Sequence, residues 1–226
     1  ERVKPSVVAV GTVQRTRRPP TLFRGTGFVV GDGRYVITNA HVLPESLDEA
    51  HKEQLSVFSG RGREAKVHAV QVLGSDRVHD LALLKLQGSS LPALEIDDDA
   101  ISVREGKEYA FTGFPIGTVL GLCAVTHRGI ISAISPIAIP QLTSNSLDPE
   151  VIRRLRDPYN VYQLDATAYP GNSGSPLYDP GTGQVIGVIN KVFIKETKEK
   201  VLSDPSGITY AIPSRYVLEL MKKHIP

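Results

Sequence analysis

Residues 25–42 read Gly-Thr-Gly-Phe-Val-Val-Gly-Asp-Gly-Arg-Tyr-Val-Ile-Thr-Asn-Ala-His-Val, and this stretch decides the fold class. Two short runs typical of strands, 27–30 and 35–38, are separated by Gly31-Asp32-Gly33. Strands this short with a glycine-rich turn between them pair antiparallel, because parallel strands need a long, usually helical crossover. The stretch therefore predicts part of an antiparallel sheet.

The same pattern continues on both sides of this stretch. Further runs typical of strands are 6–13, 55–58, 65–73, 81–86, 109–113, 121–126, 129–134, 162–165, 176–178, 185–192 and 207–212. Many short strands separated by Gly and Pro turns are typical of an antiparallel barrel or sandwich. The irregular, acidic stretch 91–103 divides the strands into two sets, so we expect an all-β protein with two lobes.

A closing amphipathic helix is expected at 214–224, with Ser214 as its N-cap and Val217, Leu218 and Met221 at helical spacing. The charged segment 44–54 is expected to be a loop or a short exposed helix. Residues 149–157 predict a short helix within a long loop, and 195–205 predict a charged loop.

Composition excludes several functional classes. The 226 residues carry a net charge of +2, which provides no field of one sign for nucleic acid or an anionic membrane. A single cysteine excludes a disulfide framework and a four-cysteine zinc site. The sequence contains no run of eighteen apolar residues, so we expect no membrane insertion. The histidines and carboxylates show no metal-ligand spacing, so we expect neither a metal nor another cofactor.

The stretch 167–176, Thr-Ala-Tyr-Pro-Gly-Asn-Ser-Gly-Ser-Pro, contains the candidate nucleophile, Ser173. Small, turn-forming residues can hold a serine at an exposed bend while neighbouring N–H groups point into the same space. The same composition also marks ordinary surface turns, so the choice depends on whether a base and a carboxylate occur elsewhere.

Of the six histidines, His41 is the candidate base because it follows an apolar strand in a turn of small residues. Asp80 leads directly into the apolar run 81–86 and is the candidate orienting carboxylate, with Asp76 as a competitor. The resulting order, His then Asp then Ser, differs from the Ser, Asp, His order of an α/β-hydrolase.

Six strings carry a resemblance to a known family. They are residues 25–30, 38–42, 80–85, 126–133, 171–176 and 210–214. In this order they resemble successive landmarks of the HtrA/Deg branch of the trypsin-like serine proteases, and they span nearly the whole chain.

The resemblance implies two β-barrels, about 1–100 and about 106–212, with the active site in the cleft between them. It makes His41 the general base, Asp80 its orienting partner and Ser173 the nucleophile. The N–H groups of Gly171 and Ser173 would form the oxyanion hole, with Asn172 between them. It also implies polypeptide substrates that are unfolded or damaged, a role in protein quality control, and a periplasmic or otherwise extracytoplasmic location. A homo-oligomer is possible, but the aromatic N-terminal segment that supports trimers in relatives is not evident, so the oligomeric state stays open. We expect the protease domain alone here, without a PDZ domain.

The resemblance also indicates an S1 pocket, whose expected residues are Thr167, Ala168, Val188, Ile189, Asn190, Tyr210 and Ala211. Thr167, six residues before Ser173, is not acidic, so cleavage after Arg or Lys is disfavoured and an aliphatic P1 residue is expected. Ala168 replaces a larger aliphatic residue and predicts a roomier pocket. Ser175 departs from the glycine that the family usually carries.

A second hypothesis is that the chain has the protease fold but acts as a binding or chaperone module. Its catalytic activity would then be silent or switchable. The family's usual activation through neighbouring loops directs attention to 136–160 and 190–207, which are long enough to be regulatory.

Overall fold

The short β-branched runs pair antiparallel in a computed structural model, which describes residues 2–97, 103–115, 122–136, 158–190 and 207–225. The first six strands are β1 Val7–Val13, β2 Thr21–Val30, β3 Tyr35–Thr38, β4 Gln54–Ser59, β5 Lys66–Asp76 and β6 Leu81–Leu86. The next six are β7 Glu108–Gly113, β8 Val125–Pro136, β9 Asn160–Asp165, β10 Pro176–Tyr178, β11 Val185–Asn190 and β12 Ile208–Pro213. The helix α1, Ser214–His224, follows β12 directly.

Each set of six strands closes into its own barrel. The strand order is β1-β2-β3-β6-β5-β4 in the first barrel and β10-β11-β12-β9-β8-β7 in the second. Closure leaves no unpaired sheet edge, which is the usual solution for an antiparallel sheet of short strands. The predicted fold class, two antiparallel barrels with a short C-terminal helix, is confirmed.

Three apolar clusters account for the packing. One fills the first barrel, around Val10, Val57 and Leu84, and one fills the second, around Phe111 and Leu164. The third lies between the barrels and beneath α1. Burial of apolar surface contributes about 25 cal/mol per Å², so this third cluster holds the two barrels and the helix together.

The connecting segment 94–97 also joins the barrels through its backbone. Leu94 N donates to Val29 O in β2 at 2.8 Å, and Asp97 N donates to Val185 O in β11 at 2.8 Å. The same segment receives α1, because the Ser214 hydroxyl donates to Asp97 O at 2.9 Å. Ser214 is therefore the first helical residue and not the N-cap, which is Pro213 and has no side-chain cap bond.

Other expectations need correction or lie outside the described residues. The predicted strands 121–126 and 129–134 are one strand, β8, that begins at Val125 and absorbs an irregularity between Ile131 and Ala133. Segment 44–53 is a loop with one short 3₁₀ turn, Glu49–His51, which agrees with the expected loop or short exposed helix, and Gln54 begins β4. The predicted helix 149–157, the charged loop 195–205 and most of both candidate regulatory loops fall outside the described ranges.

Candidate active site

Asp80 lies at the end of the turn before β6, in a left-handed backbone conformation with a φ of 52°. Its carbonyl oxygen accepts hydrogen bonds from Ala40 N at 3.1 Å and from Asn39 Nδ2 at 2.9 Å. Aspartate and asparagine are among the few residue types that tolerate a positive φ. These contacts tie Asp80 to the turn that follows β3, and the residue is only 8% exposed.

His41 lies in that turn, the 3₁₀ turn Ala40–Val42. Its ring Nδ1 is 2.6 Å from Asp80 Oδ2, and its backbone N–H donates to Asp80 Oδ1 at 2.9 Å. One carboxylate therefore holds both the ring and the backbone of His41. A neutral imidazole that donates from Nδ1 keeps its lone pair at Nε2, and 30% of the side chain remains exposed.

A third donor to Asp80 comes from the second barrel. Asn190, at the end of β11, is fully buried, and its Nδ2 donates to Asp80 Oδ2 at 2.7 Å. The resemblance predicts that Asn190 lies in the wall of the S1 pocket. In the structure its side chain instead bonds Asp80. Three hydrogen bonds from His41 and Asn190 fix the orientation of the carboxylate.

Ser173 is 7% exposed and lies in a tight turn formed by residues 169–174, the serine turn. The turn closes with a hydrogen bond from Asn172 N to Tyr169 O at 3.0 Å, and Gly171 has a φ of 99°. Proline at the second position and a positive φ at the third are typical of a type II turn, which favours glycine at that third position. A side chain at Gly171 would therefore strain the turn.

The serine turn is held against the first barrel by Thr26 of β2. Thr26 Oγ1 donates to Gly171 O at 2.6 Å, and Thr26 N donates to Ser173 O at 2.9 Å. Gly174 packs so closely that a Cβ atom there would overlap the Thr26 carbonyl oxygen. The turn thus depends on both barrels for its position.

Gly25 lies between the serine turn and the histidine turn, the 3₁₀ turn Ala40–Val42. A Cβ atom built on Gly25 would lie 3.0 Å from Ser173 O and 2.7 Å from Val42 Cγ2. Val42 directly follows His41 in the chain. The structure therefore brings the turn that carries Ser173 to the turn that carries the His41–Asp80 pair, at the junction of the barrels.

Two backbone N–H groups of the serine turn, those of Gly171 and Ser173, have no hydrogen-bond acceptor among the described residues. The neighbouring groups are bonded, since Gly174 N donates to Ile189 O at 2.9 Å and Ser175 N donates to Asn172 O at 3.0 Å. Two free donors one residue apart can bind a single oxyanion.

Three of the residues predicted for the S1 pocket lie in one apolar cluster. Ala168, Ile189 and Ala211 belong to the core of the second barrel, and Ile189 and Ala211 are cross-strand partners on β11 and β12. These three side chains are small or aliphatic and uncharged. They form an apolar patch that is buried in the barrel, and β11 joins the serine turn through its backbone, since Gly174 N donates to Ile189 O.

The other predicted S1 residues are placed differently. Val188 and Tyr210 pack with the cluster between the barrels, because adjacent residues of a strand face opposite sides. Asn190 contacts Asp80, and Thr167 is half-buried.

Ser175, the departure from the family's glycine, lies beneath the serine turn and is fully buried. Its Oγ has no hydrogen-bond partner within the described ranges, and the same holds for both amide atoms of Asn172. The Ser175 backbone joins β11, since Ile189 N donates to Ser175 O at 2.9 Å.

Asp76, the competing carboxylate, pairs with a different histidine. His79 Nδ1 is 2.6 Å from Asp76 Oδ2, and the His79 ring stacks on Tyr216 of α1 with 3.8 Å between centroids. Although burial raises the pKa of Asp76, hydrogen bonds from the His79 side chain and backbone outweigh it and hold that pKa below its ordinary value. This pair lies on the helix side of the first barrel, in the wall of a cleft of about 1040 Å³.

The sequence did not reveal three contacting residues: Thr26, Asn190 as a partner of Asp80, and Thr209. Thr209 is buried on β12 and bonds the segment that leads into the serine turn. Each contact joins residues far apart in the chain, so local sequence carries no signal for it. Strand alternation predicts that Thr209 and Ala211 face the same side of β12, but it does not predict the bonds of Thr209 to Ala166 and Ala168.

Other site chemistries find no support in the described part of the chain. No group of three or more His, Cys, Asp and Glu side chains there could hold a metal ion. No helix in those ranges is long and apolar enough to cross a membrane.

Curated relatives resemble the chain over most of its length. It is 31% identical to the serine protease Do-like HtrB of Bacillus subtilis, over 82% of this chain and 34% of the relative. It is 32% identical to a probable periplasmic serine endoprotease, DegP-like, of Halomonas elongata, over 84% of this chain and 32% of the relative. The chain thus spans about a third of the length of these relatives.

Solved structures share the fold. The crystal structure of the serine endoprotease from Yersinia pestis superposes with a TM-score of 0.68 at 25% identity, covering 99% of this chain and 64% of that one. The HtrA-type protease AlgW with tripeptide gives a TM-score of 0.67 at 28% identity, covering 98% and 60%. The trypsin-like peptidase domain family matches residues 25–188, so the chain belongs to that family, and the relatives it resembles are DegP- and HtrA-type serine proteases.

Proposed function

We propose that the chain is the peptidase part of a serine endopeptidase that cleaves unfolded or damaged polypeptides through an acyl-enzyme. The observation that carries this proposal is the meeting of two turns at the barrel junction: the serine turn, pinned by Thr26, and the histidine turn, pinned by Asp80. Family membership supports the same chemistry.

The proton transfer follows from the hydrogen bonds. The Ser173 hydroxyl is a weak nucleophile at neutral pH and needs a base that accepts its proton as it attacks the scissile carbonyl. His41 serves as that base through Nε2, because Nδ1 is occupied by Asp80. The buried Asp80 carboxylate stabilises the imidazolium that forms, and His41 later returns the proton to the leaving amine.

The oxyanion of the tetrahedral intermediate binds to the N–H groups of Gly171 and Ser173. Their lack of acceptors among the described residues supports this role. One such donor is typically worth about 3 kcal/mol of transition-state stabilisation. The Thr26–Gly171 bond keeps the carbonyl of the same residue away from the negative oxygen.

The P1 preference is inferred from Thr167, which is half-buried in the segment before the serine turn. An uncharged residue at this position favours an aliphatic P1 residue such as Val, Leu or Ala, because it offers no partner for the charge of Arg or Lys. Profiling a peptide library would test this, and a preference for Arg would contradict it.

Location and assembly are proposed from the relatives alone. Several are named periplasmic, so we place this chain outside the cytoplasm. The resemblance to the HtrA/Deg branch makes a homo-oligomer the first assembly to test. Size-exclusion chromatography with light scattering would measure the oligomeric state.

The decisive test is labelling of Ser173 by a fluorophosphonate, combined with casein cleavage. The natural chain should be labelled and should cleave casein, whereas Ser173→Ala should fold normally and do neither. A folded natural chain that is not labelled would instead support the binding or chaperone module, since a switched-off site has no activated serine.

A further inference from the structure

Thr209 makes two hydrogen bonds to one short segment, although it lies 36 positions beyond the candidate nucleophile. Its Oγ1 donates to Ala166 O at 2.6 Å and accepts from Ala168 N at 3.0 Å. The residue is 3% exposed, so water does not compete for these groups. A hydroxyl has a single proton, and this one is committed to Ala166.

The bonded segment leads directly into the serine turn. Tyr169, the next residue after Ala168, supplies the carbonyl that closes the turn by accepting from Asn172 N. Between these two lies Gly171, whose N–H is one of the proposed oxyanion donors. A displacement of residues 166–168 therefore moves the base of the turn.

The strand that carries Thr209 lies between two others. β12 pairs on one side with β9, where Thr209 lies opposite Leu164, and on the other side with β11. Thr209 is two residues before Ala211, so it shares the inward face with the apolar patch. Its hydroxyl is a polar group at the end of this otherwise apolar patch.

We propose that Thr209 is a positioning residue, whose hydroxyl holds segment 166–168 against β12 and thereby sets the position of the oxyanion donors in the serine turn. This inference rests on the proposed function. A shift of about 1 Å in a reacting group can lower a rate by about 100-fold, so a single brace at the entry to the turn has a measurable effect.

Three variants test the proposal. Thr209→Val keeps the shape and removes the hydroxyl, leaving Ala168 N and Ala166 O buried without a partner. Thr209→Ser restores the hydroxyl. Thr12→Val is the matched control, because Thr12 is also a buried threonine with a bonded hydroxyl, in the first barrel.

Kinetics give the first readout, with each variant normalised by active-site titration. Thr209→Val should lower kcat by about 30-fold with little change in KM, because the lost positioning acts in the transition state. Thr209→Ser should recover most of that loss, and Thr12→Val should lower thermal stability without lowering kcat. A Thr209→Val enzyme with the natural kcat would overturn the proposal.

Amide exchange gives a readout that does not need activity. Thr209→Val should accelerate exchange at Ala168 and also at Asn172, whose amide closes the serine turn, while Thr209→Ser leaves both protected. Faster exchange at Ala168 alone would overturn the proposal, because the brace would then not reach the turn. If Thr209→Val shows this coupled exchange but the natural chain is not labelled by the fluorophosphonate, the proposed function fails and the positioning role of Thr209 stands.

Discussion

The molecule contains two neighbouring histidine–aspartate pairs, His41–Asp80 and His79–Asp76, with the same Nδ1 to Oδ2 distance of 2.6 Å. The first joins turns 39 positions apart, whereas the second joins residues three positions apart in one turn. In the first pair the carboxylate is the more buried partner and 30% of the imidazole is exposed. In the second the imidazole is the more buried, with 17% exposed.

The comparison teaches that a short contact does not by itself identify a catalytic pair. The His41 ring is 30% exposed, and its aspartate receives a further bond from the second barrel. The ring of His79 is instead stacked on Tyr216 and meets Tyr159 edge to face at 4.5 Å. In the proposed mechanism the first pair transfers a proton, whereas the second pair holds α1 on the first barrel.

The largest effect should separate the two aspartates. Asp80→Asn should lower kcat by about 10⁴-fold, because the amide favours the wrong tautomer of His41. Asparagine tolerates the positive φ at this position, so the fold should persist. Asp76→Asn is the matched control and should keep the natural kcat. Active-site-titrated peptide hydrolysis measures both, and equal losses would remove the distinction between the pairs.

A smaller effect is expected when the cross-barrel donor is removed. Asn190→Leu has a similar volume and loses the bond to the Asp80 carboxylate. A hydrogen bond to a charged group contributes about 2 kcal/mol, which corresponds to about a 30-fold lower kcat/KM. If the variant is as active as the natural chain, the Asp80 carboxylate needs only His41.

Substitution of His79 in the second pair should lower the free energy of unfolding and leave kcat unchanged. His79→Phe keeps an aromatic ring over Tyr216 and loses the side-chain bond to Asp76, so unfolding should become easier by about 0.5–1 kcal/mol. His79→Ala loses the stacking as well and should be less stable again by about 1 kcal/mol. Urea unfolding measures both, and kcat should stay natural. A loss of kcat in the Phe variant would assign His79 to the active site.

The smallest effect concerns pH. The pKa of Asp76 is lower in the folded chain than its ordinary value, so its stabilising contribution is fully present above the pKa of the unfolded chain, about 3.9. That contribution is lost as the pH falls through the lower folded pKa. The difference in unfolding free energy between the natural chain and Asp76→Asn should therefore be larger at pH 5 than in acid below pH 4. Parallel urea titrations would reveal this, and a constant difference would contradict it.

Local patterns predicted the strands well because each strand is short and bounded by Gly or Pro turns. They failed at residues 121–134, where the glycine at 129 suggested a turn, although the pairing of β8 with both β7 and β9 carries the strand through it. They also failed at Ser214, whose hydroxyl binds Asp97 in the segment between the barrels. In both places long-range contacts outweighed a local preference.

For the site, motifs and their order were enough to nominate His41, Asp80 and Ser173. The partners of these residues could not be predicted in the same way. Asn190 reaches Asp80 across 110 positions, and Thr209 reaches Ala168 across 41. Such contacts exist only after the barrels close and dock, so neither spacing nor composition records them.

The pinning of the serine turn by Thr26 has a consequence for biosynthesis. Thr26 leaves the ribosome 145 residues before Gly171, the residue whose carbonyl it binds. For the later part of that interval the nascent chain carries His41 and Asp80, but no serine turn exists for the first barrel to hold. The order of translation therefore delays assembly of the proposed site until the second barrel has emerged.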